Sequence, residues 1–477
     1  MTRLLLLQLL FLALGAAALP LLGIAPNRAA LLARLPVAYM AGVAIAGIVT
    51  AHLALVGAAI GPLELAVLAA VVGLVAWRRR PSNRPLLGAR RGRPTGVVGL
   101  LAAALLLLAL LQVAHLTHML ETRPLYEWDG WAIWATKARA LYSFGGAYEP
   151  VFGNYPPVQH PLFFPALEAV DFRALGRFDG TLVHVQLGLL GIGFAGALWT
   201  LLRERVPALL ASLGVLAIVS ATAFVQQIST NYADVPLAVM VAVGVLCLAR
   251  WLEDGDGSLL PAAALFLGAA TLIKPEGLLF AGAALVAALA TCGRARLRGT
   301  LLAVAAVAGI YLPWRVYAAV HGLENPEYSL ADALDPGYLG DRAERLGPAL
   351  RSVGGHAFSL DWGLLLPLTI AAVGAALLSR RRRLAAFATV WALLSFGGIV
   401  LVFWISIVPV ELTLQWAAYR TVASLVIGAA ALAPLLAADA WSTIRIRGVS
   451  GGRSTSPTSR PASAATSSGS QSRTIDG

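Results

Sequence analysis

Charged residues stand beside long apolar runs, at positions where they could do chemistry at a membrane surface. Asp129 lies in WDGWAIWATKARALY and Asp234 in STNYADVP, while Lys274 and Glu276 lie in TLIKPEG and Arg420 ends WAAYR. A carboxylate such as Asp129 can take a proton from an attacking hydroxyl. Lysine can bind a phosphate as a compact charge, and arginine can grip one through two parallel hydrogen bonds. The pattern predicts acid–base chemistry beside a bound phosphate.

The two aspartates each allow two interpretations. Either could be the N-cap of the helix that follows it, with a side-chain oxygen that accepts from free backbone N–H groups. Asp129 could instead be a general base, and a capping bond would also hold it in position. Asp234 could be a second acidic group that faces Asp129 and binds a metal or an acceptor sugar. Glu127 is the rival of Asp129, although Trp128 between them indicates that the two side chains point apart.

The basic candidates also keep a structural alternative. Lys274 and Glu276 could form the solvated turn of a helical hairpin, because charged side chains reach water at the ends of spans. A turn so poor in other polar residues favours a phosphate ligand for Lys274. Arg420 needs an anionic partner, which could be a lipid headgroup or a substrate phosphate. His160, in YPPVQHP, is more typical of a loop histidine than of a ligand.

Motifs for several other chemistries are missing from the sequence. It has no cluster with catalytic-zinc spacing, no Walker or dinucleotide-binding glycine loop and no G-x-S-x-G elbow. Cys247 and Cys292 lie in apolar runs and give neither a metal spacing nor a credible disulfide. ATP, nicotinamide and serine chemistry are therefore unsupported, and we predict neither a metal nor another cofactor.

The composition places these residues in a membrane protein. The chain has 477 residues, of which 58% are hydrophobic and 13% charged, and its mean hydropathy is +0.77. Soluble domains carry about 25% charged residues. The composition therefore excludes a water-soluble enzyme, a disordered protein and a disulfide scaffold. We predict an all-α polytopic membrane protein.

Apolar runs of about 20 residues predict spanning helices. We count about thirteen such runs, within a range of eleven to thirteen, and several of them are short. They cover residues 4–24, 37–60, 62–77, 96–119, 181–202, 207–225, 235–252, 259–273, 277–292, 300–319, 363–379, 384–408 and 419–440.

The arginines orient these spans. The net charge of +12 does not indicate nucleic acid, because the arginines cluster in short loops between apolar runs, which is the positive-inside pattern. Loops 78–95, 293–299 and 380–383 are therefore predicted to be cytoplasmic. This orientation puts the candidate residues at the extracytoplasmic face of a multi-pass plasma-membrane protein. The outer segments are 120–180, 226–234, 274–276, 320–362 and 409–418.

The two ends of the chain differ from its middle. Residues 1–24 could pass for a signal peptide, but Arg28 and Arg34 favour an uncleaved first span with its N-terminus outside. The last residues are rich in Ser, Thr, Gly and Arg, which cannot form a core. The predicted regions are N-terminal extra helices with an Arg-rich loop over 1–95, the main membrane domain over 96–440, and a disordered basic cytoplasmic tail over 441–477.

The first large outer loop, residues 120–180, predicts an interfacial helix from Gly130 to about Tyr142. Apolar side chains recur there at helical spacing, while Lys137 and Arg139 lie away from that face. Aromatic residues on one face of a short helix beside a span are typical of a helix lying flat in the interface. The residues on this face are Trp131, Trp134, Ala138, Leu141 and Tyr142.

These motifs together resemble a GT-C class integral-membrane glycosyltransferase, in the group with protein-mannosyltransferase-like and aminoarabinose-transferase-like enzymes. An acidic residue stands in the first large outer loop (Asp129), and a YPP element begins at Tyr155. YADVPLA (Asp234) then opens a span, TLIKPEG (Lys274) follows, and Arg420 stands late in the chain. Each motif is short, but their order and their common side of the membrane are more specific.

The resemblance implies transfer of a sugar from a polyprenyl-phosphate carrier to an acceptor hydroxyl of a glycan, lipid or protein at the outer face. Asp129 would be the base or would position the acceptor. Lys274, Arg420 and Lys137 would hold the carrier phosphate. His160, Tyr155 and Glu276 are further site candidates.

Some features depart from the family pattern. Three predicted spans precede the one before the acidic loop, and Trp128 and Gly130 flank Asp129 in place of a second acid, which argues against a metal site. Two other classes stay open. A transporter or flippase would need ionisable residues along a path through the spans, whose interiors here are almost free of charge. A polymerase or ligase of lipid-linked glycans would share the donor and the location.

Overall fold

Helices joined by turns and short loops make up the whole described structure. The computed structural model describes residues 2–78, 96–147, 152, 159–329, 331–379 and 381–450, and these residues contain no β-strand. The helices are α1 Thr2–Leu21, α2 Arg28–Ala33, α3 Leu35–Leu55, α4 Pro62–Arg78, α5 Gly96–Leu120, α6 Thr136–Phe144, α7 Phe163–Leu175, α8 Leu182–Arg203, α9 Ala208–Val219, α10 Thr222–Ile228, α11 Asp234–Asp254, α12 Leu259–Thr271, α13 Pro275–Thr291, α14 Arg294–Val320, α15 Pro336–Asp341, α16 Ala343–Ala357, α17 Leu365–Leu377, α18 Arg382–Ile405, α19 Val410–Thr413 and α20 Tyr419–Ser450.

The structure does not confirm the predicted number of membrane spans. Each of the thirteen predicted runs is largely helical, which agrees with the all-α polytopic class. In the described residues, however, eight helices are long and apolar enough to cross a membrane, or ten if each of two bent pairs counts as one span. Leu259–Thr271 and Pro275–Thr291 are apolar but shorter. A run packed inside a helical bundle can be apolar without crossing, so the count of thirteen is not confirmed.

The last helix extends past the predicted start of the tail. It runs from Tyr419 to Ser450, so residues 441–450 are helical where the sequence predicts disorder. A helix that is already formed adds residues at little cost, and the first glycine of this segment is Gly448. Residues 451–477 lie outside the described part of the chain.

The N-terminal helices share one apolar core with the rest of the bundle, from Leu7 to Ala438. Helices α1 and α3 cross so closely that glycine is required on both: a Cβ atom on Gly15 would lie 1.7 Å from the Ala38 carbonyl oxygen, and one on Gly42 would lie 1.7 Å from that of Phe11. The predicted N-terminal extra helices are therefore packed into the structure that carries the site.

Helix α11 runs through the middle of the bundle. It spans Asp234–Asp254, and its apolar stretch is entirely buried. Asp234 is its first residue, so the burial of this helix fixes where the Asp234 carboxylate lies.

Ion pairs hold the other end of α11. Arg250, fully buried, contacts Glu204 at 2.8 Å and Asp254 at 3.8 Å. Arg34, which is 1% exposed, contacts the other oxygen of Glu204 at 2.8 Å. Because a buried guanidinium needs a charged partner, this cluster ties the N-terminal helices to α11 and to the loop after α8.

We expect Gly42→Ala to destabilise the protein by about 1–3 kcal/mol, because the added methyl group must push two helix backbones apart. The measurement is thermal unfolding of the purified protein in detergent. The matched control is Gly282→Ala, also in a helix but with open space around the added Cβ, which should be neutral or slightly stabilising. Equal unfolding temperatures for the two variants would contradict the close crossing.

Candidate functional site

Four of the predicted site residues meet in one chain of ionic contacts, and Glu276 extends it. Arg420 Nη1 donates to Asp129 Oδ2 and lies 3.9 Å from Asp234 Oδ2. Lys274 Nζ donates to Asp234 Oδ1 at 2.9 Å and lies 3.4 Å from Glu276 Oε1. The carboxylates and the cations alternate along this chain, so each charge has an opposite neighbour.

Helix beginnings and one tight turn bring these side chains together. Asp129 begins the π-helix Asp129–Ala135, and Asp234 begins α11. Lys274 is the extended residue before α13, with Pro275 in the first turn. The Phe163 N–H donates to the Leu272 carbonyl at 3.0 Å, which ties the start of α7 to the turn that carries Lys274. The N-cap positions are Trp128 and Ala233, so each aspartate is the first residue of its helix and not the N-cap, contrary to the N-cap interpretation.

The contacts lie at the border between the interior and water. Side-chain exposure is 4% for Asp234 and 9% for Lys274, but 23% for Asp129. Burial alone would lower the pKa of Lys274, but Asp234 and Glu276 raise it above its usual value, which keeps the ammonium charged. Glu276 is 21% exposed, so both ends of the chain, Asp129 and Glu276, are more accessible than its middle.

Tyr232 is a site residue that the sequence analysis did not single out. Its ring lies under the Arg420 guanidinium, 4.4 Å from Cζ to the ring centroid. Burial raises the pKa of Tyr232 to about 12, although Arg420 acts in the opposite direction. The tyrosine lies inside the YADVPLA motif, two residues before Asp234, and that position was the available signal.

The helix after Asp129 differs from the prediction. Residues Asp129–Ala135 form a π-helix before α6 continues over Thr136–Phe144. A π-helix has more residues per turn, so the spacing counted from Trp131 no longer holds. Trp131 is 43% exposed, whereas Lys137, predicted to lie off the apolar face, is fully buried. That face packs on α7 inside the protein, and an interfacial position of the helix is not confirmed.

Lys137 lies near the site but outside the ionic chain described above. Its Nζ is 3.5 Å from the His160 carbonyl oxygen and 5.8 Å from the centroid of the Phe152 ring. Burial lowers its pKa to about 7. Lys137 therefore changes charge near neutral pH, and an anion placed beside it would favour the charged form.

His160 packs against the same helix. Its ring stacks on Trp134 with 5.0 Å between centroids and 6° between planes. Burial lowers the pKa of His160 well below its usual value, and the positive charges of Lys137, Lys274 and Arg420 add to the effect. The imidazole is therefore neutral at pH 7 and lies within electrostatic reach of three cations.

Glu127 has its own partners. Its Oε1 accepts from Arg123 at 2.7 Å, and its Oε2 lies 3.5 Å from His184 Nε2. Burial acts to raise the pKa of Glu127, but the contacts with His184 and Arg123 outweigh it and lower the pKa to about 2. Glu127 and Asp129 thus face different cations, as the intervening Trp128 indicates. Tyr155 lies outside the described residues.

Two buried carboxyl groups on α7 were missed by the sequence analysis. Glu168 and Asp171 are each 1% exposed, and none of their four oxygens has a hydrogen-bond partner among the described residues. Burial raises the pKa of both well above the usual range. The sequence analysis did not single them out, because acidic side chains in a predicted loop are usually exposed to water.

A cavity of about 680 Å³ adjoins the ionic chain at Glu276. One part of its wall is apolar and includes Leu279, Trp314 and Leu401, while Gln159, Glu276 and Arg315 stand on the polar part. Within the described ranges, no three His, Cys, Asp or Glu side chains are grouped closely enough to hold a metal ion. The cavity can thus take a ligand with both an apolar and a polar part.

The sequence contains a recognisable family segment. Residues 159–317 match the model of the dolichyl-phosphate-mannose-protein mannosyltransferase family. The resemblance that the motifs predicted is confirmed. This mannosyltransferase-like segment covers a third of the chain and includes His160, Asp234, Lys274 and Glu276, while Asp129 and Arg420 lie on either side of it.

A solved structure is also similar to this protein in fold. It is ArnT from Cupriavidus metallidurans bound to undecaprenyl phosphate, with 18% identity and a TM-score of 0.48. The alignment covers 74% of this chain and 63% of ArnT, so the chain spans less than two thirds of that protein. No curated protein matches the sequence significantly.

We expect Lys137→Met to raise the unfolding temperature near neutral pH. The folded-state pKa of about 7 lies below the usual lysine value, so folding is penalised fully below pH 7, and the penalty disappears as the pH rises toward the unfolded pKa of about 10.4. The gain from Lys137→Met should therefore shrink from pH 7 to pH 10. The measurement is thermal unfolding across this range, and a gain that is independent of pH would contradict the buried amine.

Proposed function

We propose that the protein is a glycosyltransferase that moves a sugar from a polyprenyl-phosphate carrier to an acceptor hydroxyl. The reaction would take place at the extracytoplasmic face of the plasma membrane. The acceptor would be a glycan, a lipid or a protein, and the sugar a hexose or a pentose. The observation that carries the proposal is the chain of contacts that joins Asp129, Arg420 and Lys274 at one site. Arginine and lysine are both residue types that bind phosphate.

The proposed transfer assigns one role to each end of that chain. Asp129 accepts the proton of the acceptor hydroxyl while the acceptor oxygen bonds to the anomeric carbon of the sugar. The bond between that carbon and the phosphate oxygen breaks, and its electron pair stays on the phosphate. Arg420 and Lys274 stabilise the negative charge that develops there. Asp234 holds both cations in place through its two oxygens.

The cavity beside Glu276 supports a lipid-linked donor. Residues of helices α13, α14 and α18 line it, among them the part-exposed Leu278, and the neighbouring side chains Leu312 and Val316 of α14 are exposed. A polyprenyl chain could lie along the apolar part of the cavity wall, with its phosphate near Lys274. Gln159 and Glu276 on the polar wall offer hydrogen bonds of the kind that sugar hydroxyls need.

A transporter is the less suitable alternative. Transport would require ionisable groups along a path through the bundle. Here the charged side chains of the site lie where helices begin, at Asp129, Asp234 and Lys274. The long apolar stretch of helix α11 is fully buried. This arrangement favours chemistry at one face over passage across the membrane.

We expect Asp129→Asn to abolish sugar transfer while the protein stays folded, because the amide has the shape of the carboxylate but accepts no proton. Membranes from cells that produce the protein would be given radiolabelled nucleotide sugars, from which the host makes polyprenyl-phosphate sugars. The measurement is label that moves from the lipid carrier to an acceptor. The matched control is Glu127→Gln, the same change two residues earlier, which should keep most of the activity. Full activity of Asp129→Asn would refute the assigned base.

Lys274→Ala should weaken the use of the donor more than that of the acceptor, because the lysine would touch the phosphate and not the attacking hydroxyl. We expect KM for the polyprenyl-phosphate sugar to rise about tenfold or more, which corresponds to the loss of a charge-assisted hydrogen bond. Steady-state kinetics with each substrate varied in turn would measure this. An effect confined to the acceptor KM would contradict the assignment.

A further inference from the structure

Arg420 contacts Asp129, and under the proposed function it would also bind the carrier phosphate. We propose that the Arg420–Asp129 ion pair is a latch: the carrier phosphate draws Arg420 away from Asp129, and only then can Asp129 act as a base. The inference rests on the proposed function and adds an order of events to it.

The contacts of Asp129 are the first step of the argument. Its Oδ2 accepts from Arg420 Nη1, and the pair is mostly shielded, with side-chain exposures of 23% and 11%. An oxygen that accepts a charge-assisted hydrogen bond from a guanidinium is occupied, so an incoming hydroxyl has to compete with the guanidinium for it. In the state seen here, Arg420 occupies Asp129 Oδ2 in this way.

The position of Arg420 makes a change of partner feasible. A second carboxylate, Asp234, lies 3.9 Å from the same Nη1 atom, beyond an optimal hydrogen bond but close enough to keep the cation in place. The Tyr232 ring lies against the flat face of the Arg420 guanidinium. The Nε atom of Arg420 donates to the Trp416 carbonyl at 3.1 Å. Arg420 can thus turn its outer nitrogen from Asp129 to a phosphate while Tyr232 and Trp416 hold the group in place.

The charges of the chain explain why a phosphate would be the trigger. The contacts join two cations, Arg420 and Lys274, to three carboxylates, Asp129, Asp234 and Glu276. The cluster therefore carries an excess of one negative charge, and an arriving phosphate must take a cation from one of its carboxylates. Of the two carboxylates near Arg420, Asp129 is 23% exposed and Asp234 is 4% exposed, so Asp129 is the one that returns to water at the lower cost when a phosphate replaces it.

The latch predicts an order of binding. With the carrier absent, Asp129 is paired and the acceptor hydroxyl is not activated. With the carrier bound, Arg420 lies on the phosphate, Asp129 is freed beside it, and base and leaving group are ready together. The carrier must therefore bind first, and part of its binding free energy is used to open the ion pair.

A double-mutant cycle on carrier binding tests the latch without knowledge of the sugar or the acceptor. The probe is undecaprenyl phosphate, titrated against the full-length protein in detergent micelles, with affinity measured by native mass spectrometry. The proteins are the wild type, Asp129→Asn, Arg420→Gln and the double variant, each checked by thermal unfolding.

We expect Asp129→Asn to bind undecaprenyl phosphate about three- to tenfold more tightly than the wild type, since Arg420 no longer has to leave a carboxylate. Arg420→Gln should bind more weakly. In the Arg420→Gln background, Asp129→Asn should change the affinity less than about twofold, because no latch is left to open. Where Arg420→Gln does not fold, Arg420→Lys replaces it, and the gain from Asp129→Asn should be smaller there than in the wild type.

Different failures lead to different conclusions. If Asp129→Asn tightens binding equally in both backgrounds, simple charge repulsion is at work and the latch is refuted. If Asp129→Asn leaves affinity unchanged or weakens it while the wild type binds, the latch is refuted and the proposed function stands. If no protein of the set binds undecaprenyl phosphate, the proposed function fails together with it. Glu127→Gln removes the same charge two residues away without touching Arg420, and it should bind like the wild type.

Discussion

The structure of the site depends on one constraint: charges that lie among apolar helices must be paired. Removing a carboxylate or a guanidinium from water costs several kcal/mol, and a partner in contact offsets most of this. Asp129, Arg420, Asp234 and Lys274 meet this constraint by sharing partners, so no single residue can be moved without exposing the charge of another. The same sharing makes the arrangement responsive, because an added anion must displace a carboxylate that is already there.

The rest of the fold places these groups by burying apolar helices. Helix α11 is packed on all sides, so the Asp234 carboxylate has a fixed position, and the short helices α12 and α13 place Lys274 opposite it in a turn of the chain. Gly277 allows this turn to be tight, since a Cβ there would lie 1.9 Å from the Ala270 carbonyl oxygen. Small residues thus determine where the charged ones meet.

The sequence predicted the all-α class and put Asp129, Asp234, Lys274 and Arg420 on one predicted face, because charge is rare near apolar runs and its exceptions were informative, and the structure brings the four side chains together. Their catalytic roles stay predictions. The burial of Lys137 could not be predicted, since helical periodicity marks one apolar face, and the side of α6 that carries Lys137 is buried as well as the face with Ala138 and Leu141. The pairing of Glu127 with His184 depends on a helix more than fifty residues later, and no local pattern carries that contact. The count of thirteen spans is not confirmed, because apolar runs buried in protein resemble those that cross lipid, and eight to ten helices of the described residues are long and apolar enough to cross.

Helix α11 also sets the distance between two groups of charged residues, one at each of its ends. Its 21 residues extend over roughly 31 Å at 1.5 Å per residue, close to the thickness of a bilayer's hydrocarbon core. At one end Asp234 joins the proposed reaction site, and at the other Arg250 and Asp254 join the cluster with Arg34 and Glu204. Because ion pairs hold both ends, a shift of the helix along its axis would break contacts at both, and the position of Asp234 is therefore also determined by the charged cluster at the far end of the helix.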